Sequence, residues 1–144
     1  MKSCSKTWLL LLMALSTSAL AAPTGLICTA EDKSADILFV DVDEKELLVF
    51  GRWDNDTDTE MTWRSAENFK ADRVSVSGMV RSRASIVGNP ETRADAYTTY
   101  TLDRVTLVLR SALQLQIDGG EISNKMPKPL KQCVLSDIEI DTKF

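Results

Sequence analysis

The stretch ADILFVDVDEKELLVFGRW, residues 35–53, alternates with a period of two. Ile37 and Phe39 fall on one face, Leu38 and Val40 on the other. That is strand spacing; a helix would repeat its apolar positions every three or four residues. The polar triplet Asp43-Glu44-Lys45 turns the chain, and ELLVFGRW (Glu46 to Trp53) brings it back. Two β-rich runs joined by a short polar loop make a hairpin.

The same pattern runs on through the chain. RVSVSGMV (Arg73 to Val80) sets Val74, Val76 and Val80 on one face and Ser75 and Ser77 on the other, as a strand with one buried face does. AYTTYTL (Ala96 to Leu102) is rich in Thr and Tyr, which suit a pleated, half-buried surface. VTLVLR (Val105 to Arg110) follows, and ALQLQID (Ala112 to Asp118) places Leu113, Leu115 and Ile117 inward with Gln114 and Gln116 outward. DGGE (Asp118 to Glu121) is a turn, and KQCVL carries the last strand. VGNPET (Val87 to Thr92) is a further turn and SNKMPKPLK (Ser123 to Lys131), with two prolines, an extended loop. SAENFKAD (Ser65 to Asp72) is predicted as a single helical turn capped by Ser65 with Glu67 early in it. The sum is about seven or eight short strands in one antiparallel barrel or sandwich.

The first 21 residues read as a secretory signal peptide. Lys2 and Lys6 are followed by the apolar run Trp8–Leu15 and by Ala19 and Ala21 at the positions a signal peptidase prefers. Ile27 stands before Cys28 where a lipid-anchoring motif needs a small residue, and nothing later is apolar for long enough to span a bilayer. Residues 22–144 are then one β-rich domain, with a periplasmic or secreted location expected. Loss of Cys4 leaves Cys28 and Cys133, an even pair that reads as a disulfide joining the first and last strands. A staple between those strands favours a barrel. Loss of Lys2 and Lys6 moves the formal charge from −4 to about −6, a poor balance for a nucleic-acid backbone.

The chain contains no histidine, which closes Ser-His and Cys-His catalysis and His-ligated metal sites. No phosphate-binding Gly-rich loop is present. Carboxylates remain, and most stand in turns, so no catalytic residue, no enzyme activity and no cofactor are expected. The run DNDTDTE sets Asp54, Asp56, Asp58 and Glu60 two apart. It opens like a calcium-binding EF-hand loop but has Thr59 in place of the turn glycine and Ser65 in place of the final glutamate. A solvated hairpin tip is the primary reading and a weak cation site the secondary one. Trp53 and Trp63 flank it as an aromatic pair on the core's edge, with ligand contact as the alternative. Arg73, Arg81, Arg83 and Arg93, near Ser75 and Ser77, form a basic face that is either solvated or meets an acidic partner or anionic envelope component.

YTLDRVT (Tyr100 to Thr106), set between the two cysteines, resembles a pattern in small exported bacterial β-rich proteins of uncharacterised function, in which a glycine follows the threonine. Here Leu107 takes that place. The resemblance implies an exported β-rich domain and transfers no catalytic residue. SVSGMVRS (Ser75 to Ser82) is loosely similar to the Ser-Gly loop of periplasmic lysozyme inhibitors, without the aromatic residue and lysine expected beside it. The expected function is a non-enzymatic binding or accessory protein of the bacterial periplasm or envelope, its partner a protein or envelope component. An inhibitor of a cell-wall-degrading enzyme is the first alternative, a small carboxylate-dependent hydrolase the second.

Overall fold

The computed structural model describes residues 22–51, 53, 61–86 and 89–137. Residues 1–21, the acidic residues Asp54, Asp56, Asp58 and Glu60, and Val87 and Gly88 at the start of VGNPET lie outside the described residues, while Asn89 to Thr92, read as the rest of that turn, are strand.

The described chain is all β, with ten antiparallel strands and no helix. They are β1 (Thr24–Thr29), β2 (Ala35–Asp41), β3 (Glu46–Gly51), β4 (Thr62–Ser65), β5 (Glu67–Ala71), β6 (Ser75–Ile86), β7 (Asn89–Asp103), β8 (Val108–Ile117), β9 (Met126–Pro127) and β10 (Lys131–Ser136). The sheet runs in the order β4-β3-β2-β1-β10-β8-β7-β6-β5, with β9 beside β8.

Ten segments, rather than seven or eight, follow from two interruptions. Only Ala66 separates β4, which pairs with β3, from β5, which pairs with β6. One bent run therefore joins the two ends of the sheet and nearly closes it into a barrel. The Ala66 amide donates to the Leu47 carbonyl (2.8 Å) and the Arg83 amide to the Trp53 carbonyl (3.2 Å), which stitches this seam. Likewise β9 and β10 lie along the same edge of β8, through Leu113 opposite Met126, Lys128 donating to Ser111 (2.9 Å) and Leu109 opposite Lys131. Pro127 and Pro129 have no amide hydrogen to give the ladder, so that run breaks.

The helical turn expected over Ser65 to Asp72 is replaced by strand. Ser65 ends β4, and Glu67, Lys70 and Ala71 pair with Met79, Ser77 and Val76. Asn68 takes a left-handed φ of 55°, at the bulge between Glu67 and Lys70. A lone helical turn gains almost nothing on its own, whereas the strand completes two ladders. Gly78 makes room for the bend. A Cβ there would sit 2.7 Å from the Ala66 Cβ and 3.2 Å from a Leu47 methyl.

Inward-facing side chains fill the barrel. Leu26, Leu38, Val40, Leu47, Val49, Val76, Val80, Tyr100, Leu102 and Leu109 pack around Cys28 and Cys133. The two cysteines stand opposite each other in register and form a disulfide between the first and last strands, across 105 positions. The Cys133 amide points the other way, to the Leu107 carbonyl (2.8 Å). The pair is thus a non-hydrogen-bonded one, the type that brings facing side chains closest.

Leu107 adopts a φ of 56°, so it holds the left-handed conformation that a glycine would take there, while its side chain packs on the core. Leu107→Ala gives up about 1–2 kcal/mol of burial and keeps the backbone strain. Leu107→Gly gives up the same burial but releases about 1 kcal/mol of strain. Urea unfolding is expected to rank the glycine variant above the alanine one, the reverse of the usual order.

Candidate functional site

Core side chains fill the described interior, and the charged side chains of β6 and β7 turn outward. β6 and β7 pair one-to-one from Ser75 opposite Asp103 to Ser85 opposite Arg93. Alternation sends Val76, Gly78 and Val80 inward and leaves Ser77, Met79, Arg81 and Arg83 outside. Register then sets Arg81 against Tyr97 and Arg83 against Asp95. Arg81 donates to the Asp95 carboxylate at 3.0 Å and lies 5.7 Å from the Tyr97 ring centre. The hydrogen bond and charge of Asp95 push the Arg81 pKa further up, so the guanidinium stays charged. The Tyr97 hydroxyl donates to Gln116 on β8 (2.9 Å).

The two tryptophans part company. Phe50, not Trp53, stands opposite Trp63, their rings 5.1 Å apart. Trp53 packs on the core at the seam, where its indole N–H donates to the Thr62 carbonyl (2.9 Å) and Arg64 covers its ring at 5.6 Å. Arg64 also donates to the Arg81 carbonyl (2.7 Å), so β4 and β6 adjoin here. Phe50 and Trp63 end an outward row. Ladder register carries it from Val134 on β10 through Ile27 and Ile37 to Phe50 and Trp63. The row is half-buried except for Val134, which is 59% exposed. Across the seam, the bond from Arg64 to the Arg81 carbonyl places β6, with Arg81 on its outer face, next to the strand of Trp63.

Sequence alone pointed to Arg81, Arg83, Ser77 and Trp63. It missed Asp95, Tyr97, Gln116, Phe50 and Arg64, which only cross-strand register brings in. Arg73 and Ser75 do not join the group. Six residues of strand, roughly 20 Å, separate Ser75 from Arg81, and both belong to a turn at the far end of the barrel. SVSGMVRS lies wholly within β6 and is a strand rather than a loop.

The carboxylates at that end hold turns. Asp72 accepts from the Val74 and Ser75 amides (both 2.8 Å), and Asp103 from the Val105 and Thr106 amides (both 2.8 Å). Arg104 bridges the two turns, donating through its amide to the Val74 carbonyl (2.8 Å) and through its guanidinium to the Asp72 carbonyl. YTLDRVT is therefore a turn-building motif. The amide bonds hold both carboxyls below the ordinary value of 3.8. A lowered carboxyl stabilises the fold above its unfolded pKa, and that contribution drains away as pH falls from about 4 through the folded value. Asp103→Asn keeps an accepting oxygen but cannot titrate. It is expected to match wild type in melting temperature at pH 7 and to lose less between pH 4 and pH 2.

Inside, Lys131 donates to Asp36 at 2.5 Å, with Tyr100 and Thr98 near. Burial, then the charge of Asp36, pushes the Tyr100 hydroxyl far up. The stability that the protonated Tyr100 contributes is complete below pH 10 and falls above it, where only the unfolded chain ionises. Among the described residues, no three acidic or cysteine side chains gather as a metal site. Among those same residues, no helix is long and apolar enough to cross a membrane. No family model matches the chain, and neither a curated protein nor a solved structure is found to be similar to it.

Proposed function

We propose that this chain is a non-enzymatic binding or accessory protein of the bacterial periplasm or envelope, and that it recognises a protein partner through the outer barrel surface around Phe50, Trp63, Arg81 and Tyr97. One observation carries the reading: register lines up an outward apolar row that ends on Trp63, and the hydrogen bond from neighbouring Arg64 to the Arg81 carbonyl sets the arginine–tyrosine pair on the adjoining strands. Aromatic residues and arginine supply most of the energy in protein interfaces, and a rigid disulfide-closed barrel spends little entropy in presenting them. The disulfide agrees with an oxidising compartment.

The protein immobilised at one end would be exposed to envelope extract and the bound proteins quantified. A stoichiometric partner is expected, weakened about 30-fold by Trp63→Ala and by Arg81→Glu but not by Glu44→Lys in a remote turn. Equal capture by all variants overturns the assignment of this surface. Lysozyme activity measured with equimolar protein separates the inhibitor reading, since loss of activity would move the proposal there.

A further inference from the structure

We propose that a second site, a groove of about 240 Å³ between the outer face of β7–β8 and the loop before β10, binds a phosphate monoester. Arg110, Lys125 and Lys128 line it, and no carboxylate does. That is a local inversion in a protein whose formal charge is −4. Among the described residues none of the three cations has an ion-pair partner within 4 Å. Asp103 feels the charge of Arg110, but its carboxylate is committed to the turn amides.

Thr99 and Thr101 complete the lining. They are successive outward positions on β7, opposite Ala112 and Arg110. Their hydroxyls can donate where the cations supply charge, and hydrogen bonds from charged donors to anions are the strong ones. The loop is pinned at this level, not loose, because Lys128 donates its amide to Ser111 and Pro127 pairs with Ala112. Prolines on either side of Lys128 fix its backbone. Pro127 and the 54%-exposed Leu130 give one wall an apolar surface. A doubly charged head with three oxygens, attached to a short apolar body, fits this chemistry better than a lone carboxylate. The groove shares no residue with the surface around Phe50, Trp63, Arg81 and Tyr97, although Thr99 follows Tyr97 on the outer face of β7, and its test reads only Arg110, Lys125 and Lys128 variants, so the two proposals fail separately.

The test is amide NMR titration of the folded, disulfide-bonded protein with inorganic phosphate at low ionic strength. Saturable shifts at Thr99, Thr101, Arg110, Lys125 and Lys128 below about 10 mM phosphate are expected. Lys125→Gln/Lys128→Gln should weaken them at least tenfold, with melting temperature unchanged, and Arg110→Gln should do the same. No saturation in that range, or equal shifts at cations elsewhere such as Lys33 and Arg73, overturns the site. Glycerol 1-phosphate and phosphatidic acid vesicles then separate a free phosphate ester from a lipid headgroup. Flotation with those vesicles but not with neutral ones, abolished by the double variant, indicates the lipid source. Titration by glycerol 1-phosphate without flotation indicates the soluble one.

Discussion

Cys28→Ser/Cys133→Ser is expected to lower stability by about 4 kcal/mol and to pull the urea midpoint down by roughly 2 M or more. The bridge spans 105 positions, a loop for which chain entropy predicts about 4.7 kcal/mol. The folded pair fits its ladder without displacing a hydrogen bond, since the Cys133 amide is already given to Leu107. Native contacts between β1 and β10 therefore survive reduction, and the loss arises in the unfolded chain. Equilibrium unfolding of wild type with and without reductant, beside the double variant, measures it. A change below about 1 kcal/mol would mean that the reduced unfolded chain already keeps its ends together.

The second large effect concerns Asp36 and Lys131. The lysine side chain is only 7% exposed and the aspartate 20%, and they meet at 2.5 Å inside the barrel. Asp36→Ala leaves a buried ammonium with no counter-charge, at a cost of about 3 kcal/mol. Asp36→Leu/Lys131→Met removes both charges together and is expected to recover most of that loss, because the pair's desolvation cost disappears with it. Urea midpoints of the wild type, the alanine variant and the double variant decide the matter. If the double variant is as unstable as Asp36→Ala, the pair supplies more than mutual neutralisation.

Alternation revealed most of the fold. Leu38 and Val40 share the core face, on one side of the run Ala35 to Val42 as alternation requires, and the even pair left once Cys4 is set aside with the expected signal foretells the staple. The β4–β5 bend was invisible because Ser65 and Glu67 carry the local chemistry of a helix start, while the demand that overrides it, closure against β3 and β6, is non-local. The site was half legible for the same reason. Period two exposes Arg81 and Arg83 on one strand, but nothing in the string tells that Tyr97 lies opposite Arg81, sixteen positions later. The groove shows this limit in its purest form: SNKMPKPLK reads as loop, and which face it overhangs is set by β8.

β10, the last strand in chain order, lies in the middle of the sheet between β1 and β8. A nascent or clipped chain ending before Lys131 would lack, in one stroke, the strand between β1 and β8, the second sulfur and the buried cation. Two bare edges would then face solvent, each able to recruit another molecule's backbone. Continuity of the sheet thus depends on Lys131–Ser136, and because β10 pairs with β1 from the far end of the described chain, its contacts are among the slowest to form.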